Sequence, residues 1–557
     1  MSSCLGIESV EDCSPREVWG HHDAAGIRNI ADVPEEFRDI EGFRTRFQSM
    51  LSTGCIWIKT LFDHDDRLFW WAFECGSEAS EARVVAAGKS RGKGAGRRIL
   101  LESSILDAKI ETAYELRYEH PDLNWQNYCA SIRRYWAFVD PDDTLCTQLP
   151  DYVLKSDEIA QSTLDRLVDL ANQALQRLRT KPDKLPNELE WRPKLTNAAL
   201  IAQSFLDALT SEFQGNIDRL VSGWKEIVSL LRTDWLDGSE PAAWPRQDEI
   251  LNRACKTHLE SISYDLNLDS ICNLLTEREH DIVFTLDGPL VSVPVDSLPV
   301  DGRPLFELAR SVTVLLSTGL AVTPAREDGR AAPNREMFAA VWLPQDERSR
   351  DDGLNYLQTK LQLLTNERQA TNASSWSIRS AVDRPLATSR AIECTLRSQG
   401  FPIVVIAGNG AVGRGSRKSR VLCAGSEGIV TWEGAGDLRS NELLLLCACL
   451  VGRMYDAGAG NVRGLSTELL VRGCRVFFGA RWKIHAAYAA TLSARIVDRL
   501  MSAIDSPTTY GYSGCFRVAR LINDIRKELA REIPAAEHTL SAFSVFGLAS
   551  DSVSVGD

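Results

Sequence analysis

Short apolar runs dominate the pattern of the chain after residue 280, and amphipathic segments separate several of them. In chain order the runs are DIVFTLDG, FAAVWL, IVVIAGNG, ELLLLCAC and CRVFFGARW. Nearly continuous apolar strands that alternate with helices are typical of a mostly parallel sheet covered on both faces. This part of the chain is therefore predicted to be an α/β domain, with its functional groups at the carboxyl ends of the strands.

Two other patterns precede this region. Residues 55–73, CIWIKTLFDHDDRLFWWAF, form two aromatic, β-rich runs separated by polar residues, which predicts a β-hairpin. From about residue 100 to 275, apolar residues recur at spacings of three and four, as in NIDRLVSGWKEIVSLLR, which predicts helices without a convincing repeat. The predicted organisation is an N-terminal segment (1–45), a hairpin-containing segment (46–100), a helical region (101–275) and an α/β domain (276–557).

The net charge of the chain narrows the classes of binding partner that are expected. The 557-residue chain has a net charge of −13 and a pI near 5.3, which argues against nucleic acid or an anionic membrane as the main partner. One basic cluster, GKSRGKGAGRR at 88–98, departs from this trend. It lacks the spacing of a phosphate-binding loop, because Arg83 stands where the first glycine is needed. We predict a flexible, solvated loop here, with a site for an acidic partner as the alternative.

Targeting signals and metal motifs are not apparent in the sequence. The N-terminus has neither the basic region nor the apolar run of a secretory signal, and no apolar window is long enough to span a membrane. The fourteen cysteines are irregularly spaced and match no zinc-binding pattern. We therefore predict an intracellular, cytoplasmic protein with reduced cysteines, no metal and no small-molecule cofactor.

Candidate chemistry lies at the ends of two predicted strands. Gly408-Asn409-Gly410 ends the first of them, and the second, Glu442 to Leu446, leads into Cys447-Ala448-Cys449. In a cysteine protease, the nucleophilic cysteine can lie at the end of one strand and the catalytic base at the end of the neighbouring strand, and these two positions have that layout. Cys447 and Cys449 share a strand face, for which a metal or redox pair is one interpretation and small residues at a tight turn are the commoner one.

Several segments resemble the CHAT family of caspase-like peptidases, which are related to separases. IVFTLDGPLVSVPVDSLPVDGRPLFE at 282–307 is similar to the family's "PDGPLHLLPFEAL…DGRPL" signature, and LLLLCACLVGR at 443–453 resembles its nucleophile segment "LSACxTG". Residues 460–482 and 541–547 resemble the two segments that follow, and the hairpin at 55–73 is similar to strands that open many CHAT domains. The resemblance implies a caspase-like three-layer α/β/α sandwich with a mostly parallel sheet, and it places the catalytic cysteine at Cys449.

The chain departs from the family pattern at the base. In the family segment "HxxGHG" the second histidine is the catalytic base, but Val405 and Asn409 stand at the two histidine positions. Asn409 has no group that titrates near neutral pH, so it cannot accept a proton from a thiol. Ala486 stands where the family pattern "LWxVxD" has its aspartate. Gly410 and Cys449 remain, so backbone donors facing an oxyanion are still expected.

Two functions follow from this combination. The first is a catalytically impaired pseudopeptidase that acts through protein–protein interaction, with a protein or peptide as the partner. The second is an active cysteine endopeptidase in which Cys449 is the nucleophile and His485 is a displaced base. For His485 the alternative interpretation is a solvated or capping histidine at the start of a helix. Nucleotide binding at the glycine-rich turns is disfavoured by their spacing, and the sequence leaves the oligomeric state open.

Overall fold

The computed structural model describes about half of the chain. The described residues are 55–62, 67–74, 83–91, parts of 94–114, 244–268, 271, 279–315, 336–341, 352–371, 377–381, 401–412, 419–422, 429–430, 438, 442–456, 462–471, 473–505, 515–547 and 552–554. The predicted N-terminal segment and most of the predicted helical region lie outside them.

The strands are β1 (Cys55–Phe62), β2 (Leu68–Glu74), β3 (Arg83–Lys89), β4 (Asp281–Thr285), β5 (Pro299–Val300), β6 (Arg303–Pro304), β7 (Ser311–Leu315), β8 (Glu336–Val341), β9 (Ser377–Ala381), β10 (Ile403–Ala407), β11 (Asn409–Val412), β12 (Ser419–Leu422), β13 (Ile429–Val430), β14 (Leu443–Cys447), β15 (Met454–Asp456), β16 (Val462–Gly464), β17 (Val476–Ala480), β18 (Cys515–Arg517), β19 (Phe543–Phe546) and β20 (Ser552–Ser554). The α-helices are α1 (Trp244–Leu266), α2 (Leu305–Leu308), α3 (Asp352–Thr371), α4 (Leu465–Val471), α5 (Ala486–Asp505), α6 (Val518–Glu532) and α7 (Glu537–Ala542). Short 3-10 helices cover Gly288–Ser292, Val295–Ser297 and Pro534–Ala536.

Eleven strands form one sheet in the order β3-β2-β1-β4-β7-β19-β17-β14-β10-β8-β9. Along this order from β1 to β9, each pair of neighbouring strands is parallel except the pair of β17 and β19, which is antiparallel. The strand direction therefore reverses between β17 and β19. The carboxyl ends of β10, β14 and β17 lie at one edge of the sheet, and those of β1, β4, β7 and β19 lie at the opposite edge.

The central strands are covered on both faces. Every residue of β4, β7, β10, β14 and β17 is buried, and since successive side chains of a strand point to opposite faces, neither face is open to solvent. Helices α3, α5 and α6 form one helical layer, in which α5 contacts both α3 and α6. The predicted α/β class with a large, mostly parallel sheet is confirmed. Among the described helices, none is long and apolar enough to cross a membrane.

The aromatic runs predicted as a hairpin are the neighbouring strands β1 and β2. Strand β1 continues the sheet by pairing with β4, and the indole Nε1 of Trp57 donates to Thr285 Oγ1 at 2.9 Å. The chain divides into two compact units, one of residues 1–61, 70–88 and 268–557 and the other of residues 62–69 and 89–267. The first unit thus joins the hairpin region to the α/β region.

The basic cluster at 88–98 is not the solvated loop that its composition predicts. Ser90 and Arg98 are buried. Within the second unit, the Arg91 N–H donates to the Asp265 carbonyl at 3.0 Å, and Arg98 Nε donates to the Asp265 carboxylate at 3.1 Å. The prediction was wrong for these residues because local composition does not reveal a buried carboxylate that lies far along the chain.

Candidate active site

The turns that follow β10 and β14 lie side by side. The two strands pair in register, with Ala407 opposite Cys447, and the Gly408 N–H donates to the Cys447 carbonyl at 3.2 Å. Asn409 and Cys449 each stand two residues beyond that last pair. Asn409 also begins β11, where it pairs with Leu422 of β12. The structure therefore brings the backbones of these two predicted site positions together.

Gly410 makes the closest contact between these turns. A Cβ atom built on Gly410 would lie 1.7 Å from the carbonyl oxygen of Cys449 and 2.9 Å from its backbone nitrogen. Real Cβ atoms do not approach other atoms this closely, so a side chain at this position would displace one of the two turns. Glycine is required at 410 because the backbone of the Cys449 turn occupies the space of a side chain.

The turn that carries Cys449 is strained and anchored. Leu450, which follows Cys449, is buried and has φ of 63°, a conformation that costs about 1–3 kcal/mol for a residue other than glycine. Its N–H donates to the Trp482 carbonyl at 3.3 Å, and the Gly452 N–H donates to the Ala480 carbonyl at 2.7 Å. These bonds join the cysteine turn to residues 480–485, which include the last residue of β17 and the turn after it.

The Cys449 thiol is half-buried and faces those residues. Its sulfur lies 4.0 Å from the carbonyl oxygen of Ile484, to which the thiol donates. Strand β17 pairs with β14 on the side opposite to β10. The thiol is therefore directed toward the residues after β17, on the side away from the strand that leads to Asn409.

His485 caps a helix. It immediately precedes α5, and its Nδ1 accepts a hydrogen bond from the Ala487 N–H at 3.2 Å, the contact of an N-cap residue. Because Nδ1 is the acceptor, the proton of the neutral ring lies on Nε2. Protonation of Nδ1 would break the cap and place a positive charge at a helix N-terminus, which is unfavourable. This contact agrees with the alternative interpretation of His485 as a capping histidine.

The other positions of the family pattern hold no catalytic group. Val405 is fully buried within β10, and Ala486 is the first residue of α5. Cys447 is buried. In the described part of the first unit, His280 immediately precedes β4, which is separated from β14 by β7, β19 and β17. Four strand spacings amount to about 19 Å, so His280 cannot serve Cys449 directly.

A buried polar cluster that sequence reasoning missed anchors the turn at 480–485. Thr539 Oγ1 accepts from the His485 N–H at 3.1 Å and lies 3.1 Å from Nε2 of His538. The indole Nε1 of Trp482 donates to the His538 carbonyl at 3.1 Å. Two of these contacts, His485 with Thr539 and Trp482 with His538, span more than 50 residues of sequence and carry no local pattern, so only the fold reveals them.

A buried ionic network includes Arg481 of the same turn. Arg526 and Asp296 form an ion pair of 2.7 Å in which both side chains are 1% exposed. Asp296 also accepts from Ser544 Oγ at 2.9 Å, and Ser544 Oγ accepts from Arg481 Nε at 2.9 Å. Burial lowers the pKa of Arg481 to about 10, and the charge of Asp296 opposes this shift. Arg526 thus contacts the Asp296 carboxylate directly, and Arg481, a residue of the turn at 480–485, reaches it through Ser544.

The buried imidazole of His538 predicts a loss of stability in acid. Burial, with a smaller contribution from His485, lowers the pKa of His538 from 6.5 to about 3. As the pH falls below about 6.5, the unfolded chain gains a proton at this site and the folded chain does not, so stability falls by about 1.4 kcal/mol per pH unit until the pH approaches 3. Urea unfolding at pH 7, 6 and 5 measures this slope. His538→Gln is expected to reduce the slope by that amount, and equal slopes for the two proteins would contradict the assignment.

Together, the fold and the turns define a class of protein. A cysteine follows one parallel strand, the turn of the adjacent strand contacts its backbone, and a strained residue comes next, which is the layout that the sequence predicted for a cysteine-peptidase fold. The family model described as "CHAT domain" matches residues 264–509, a range that includes Asn409, Cys449 and His485. The resemblance to the CHAT domain inferred from sequence is confirmed over this segment.

Particular solved structures resemble the chain at low identity. Two crystal structures of the Saccharomyces cerevisiae separase–securin complex match with 13% and 12% identity and TM-scores of 0.41 and 0.40, and each match covers 91% of this chain and 31% of the other. The Arg-specific cysteine proteinase gingipain R matches with 10% identity and a TM-score of 0.32, covering 56% of this chain and 69% of the other. The chain thus spans about a third of the separase chains. No curated protein matches it. At these values the likeness carries no inference about activity or partners.

Proposed function

We propose that this protein is a catalytically impaired cysteine-peptidase homologue that binds a peptide or protein partner at the Cys449 site. The observation that carries the proposal is the direction of the Cys449 thiol, which donates to the Ile484 carbonyl and has Asn409 where the family has its base. A free thiol of pKa near 8.5 is only a few per cent ionised at pH 7. Without a positioned base, hydrolysis loses a factor of about 10² to 10⁴. An intracellular location with reduced cysteines is part of the same proposal.

The geometry of His485 supports this reading. The lone pair of its neutral ring is directed at the Ala487 N–H, so it is not available to accept the thiol proton. Use of His485 as a base would first require loss of the helix cap, which is worth about 1 kcal/mol. The turns themselves persist, because Gly410 still packs against the Cys449 backbone. A site that keeps its frame without its base retains a surface for binding.

An active peptidase is the second candidate, and one contact favours it. The Cys449 sulfur is 4.0 Å from the carbonyl of Ile484, the residue before His485, so the thiol and this imidazole are carried by neighbouring backbone. Under this candidate, His485→Asn abolishes turnover while its amide oxygen preserves the helix cap. That variant removes the base without removing the structural role.

One randomised fluorogenic peptide pool distinguishes these functions, because it measures both hydrolysis by the protein and binding to the protein. We expect product release by the wild type to match release by Cys449→Ala, and both proteins to bind the pool in an anisotropy assay. Cys449→Trp is expected to abolish binding by filling the site. Product release that Cys449→Ala eliminates would establish a peptidase, and equal binding by Cys449→Trp would refute a partner site at Cys449.

A further inference from the structure

The peptide group between Ile484 and His485 is held at both of its polar ends. Its carbonyl oxygen lies 4.0 Å from the Cys449 sulfur and accepts from the thiol. Its N–H donates to Thr539 Oγ1 at 3.1 Å. Because a trans peptide group is planar and its C=O and N–H point in opposite directions, the bond to Thr539 on one side fixes the direction in which the carbonyl faces the thiol on the other.

The peptide group between Ala480 and Arg481 has the same arrangement. Its carbonyl accepts from the Gly452 N–H at 2.7 Å, and its N–H donates to the Ala542 carbonyl at 2.8 Å. The two peptide groups therefore lie between the cysteine turn on one side and α7 on the other. Since each group is a rigid plane, the position of α7 is transmitted through the turn to the residues that surround the thiol.

Thr539 is itself anchored within α7. Its side chain is fully buried, and its hydroxyl oxygen also lies 3.1 Å from Nε2 of His538. The carbonyl of the next residue, Leu540, accepts from Nη2 of the buried Arg526 at 2.9 Å. A hydroxyl that is fixed in this way orients the peptide group to which it is bonded.

The orientation of the Ile484–His485 peptide group bears on the chemistry of the thiol. A carbonyl oxygen accepts a hydrogen bond from a neutral thiol and repels a thiolate, so it favours the protonated form of Cys449. The opposite orientation would present the His485 N–H, which favours a thiolate. The thiolate is the nucleophile, and the orientation held by Thr539 therefore lowers the reactivity of the sulfur.

We infer that Thr539 is a positioning residue for Cys449, and that its hydroxyl holds the Ile484–His485 peptide group with the carbonyl toward the thiol, which keeps the thiol protonated and unreactive. This inference rests on the proposed function, since it names a second cause of the impaired reactivity at that site, besides Asn409. Thr539 acts through the peptide group and is not a catalytic residue.

Alkylation of Cys449 by iodoacetamide, followed by peptide-level mass spectrometry over a range of pH, tests this role in the full chain. Thr539→Val keeps the shape of the side chain and removes the hydroxyl. We expect it to raise the rate constant at pH 7 by about threefold to tenfold and to move the midpoint of the pH profile to lower pH. The plateau at high pH, where the thiol is fully ionised, is expected to stay unchanged.

Two further variants serve as controls. Thr539→Ser keeps the hydroxyl and is expected to react as the wild type does. Thr491→Val removes a hydroxyl that donates to the Ala487 carbonyl at 2.8 Å within α5, and it is expected to leave the rate unchanged. The charged residues of the three joined segments, which include Arg453, Lys483 and Glu537, are the same in every variant, so the comparison isolates the Thr539 hydroxyl.

Three results of these rate measurements would overturn the inference. One is a Thr539→Val rate at pH 7 that does not exceed the wild-type rate. Another is a Thr539→Ser rate that is raised as much as the Thr539→Val rate. The third is an equal rise at pH 7 and at the high-pH plateau, which would mean that the sulfur has become more exposed while its protonation is unchanged.

Infrared spectroscopy of the wild type provides a test that does not depend on the folding of Thr539→Val. The S–H stretching band of Cys449 is the difference between the spectra of the wild type and Cys449→Ala. We expect this band at a lower frequency than that of a thiol without an acceptor, because the thiol donates to Ile484. A band at the frequency of a thiol without an acceptor would refute the inference.

Neither measurement involves a peptide, so this inference and the proposed function can fail separately. Unchanged alkylation of Thr539→Val, together with binding of the peptide pool by the wild type, refutes the role of Thr539 and supports the partner site. Faster alkylation of Thr539→Val, without binding of the pool by the wild type, supports the role of Thr539 and refutes the partner site.

Discussion

Asp296→Ala is expected to lower the free energy of unfolding by about 3–5 kcal/mol, the usual effect of removing one partner from a buried ion pair. The Asp296 carboxylate accepts from Arg526 at 2.7 Å and from Ser544 Oγ at 2.9 Å. Among the described residues, its removal leaves the buried Arg526 and Arg481 guanidinium groups with hydroxyl and carbonyl partners but no anion. The penalty is therefore the desolvation of a positive charge, which exceeds the value of a single hydrogen bond.

Urea or thermal unfolding of the purified full chain measures this loss. Glu528→Ala is the matched control, because it breaks the Arg499–Glu528 ion pair, whose side chains are about a third exposed, and it is expected to lose less than about 1 kcal/mol. Asp296→Asn tests the charge separately, since its amide oxygen still accepts a hydrogen bond. A loss for Asp296→Ala no larger than that for Glu528→Ala would show that the network does not stabilise the fold.

Asn409→His is expected to create peptide hydrolysis that depends on Cys449, at about 10² to 10⁴ times the wild-type rate. The register of β10 with β14 places position 409 level with Cys449, and the contact of Gly410 with the Cys449 backbone holds the two turns together. The new imidazole supplies the missing base. Release of product from a fluorogenic peptide pool measures the gain, and the rate is expected to rise with pH through about 6.5 as the imidazole loses its proton.

Two variants make that result specific. Combination of Asn409→His with Cys449→Ala must abolish the new activity, and Asn409→Gln, which has no titrating group, must not produce it. An inactive but folded Asn409→His protein would show that the thiol cannot leave the Ile484 carbonyl. Wild-type hydrolysis equal to that of Asn409→His, and lost in Cys449→Ala, would refute the impaired-peptidase proposal.

The sequence predicted those features of the fold that depend on local patterns of residues. Continuous apolar runs predicted the central strands because burial on both faces leaves no polar alternation. The turns at Asn409 and Cys449 were expected together since adjacent parallel strands end at one edge. The reversal between β17 and β19 was not predicted, because a short apolar run has no feature that fixes strand direction.

Long-range polar contacts explain what the sequence did not reveal at the site. Asp296 and Arg526 are 230 residues apart, and Thr539 and His485 are 54 apart. Neither pair follows a spacing rule, and each side chain taken alone reads as a solvated surface residue. The same limitation led to the wrong prediction for Arg98, whose carboxylate partner is 167 residues away.

The reversal between β17 and β19 has a consequence for synthesis of the chain. Strand β19 (Phe543–Phe546) comes later in the chain than every other strand of the eleven-stranded sheet, yet it lies between β7 and β17. Strand β19 joins two groups of strands, one of β1, β4 and β7 and the other of β8, β10, β14 and β17. Until the ribosome has released residues 543–546, the two groups are not joined, and each exposes an unpaired strand edge. The residues that anchor the Cys449 turn, Thr539 and Ser544, emerge at the same moment. The candidate site is therefore completed only at the end of translation of this region, together with closure of the sheet.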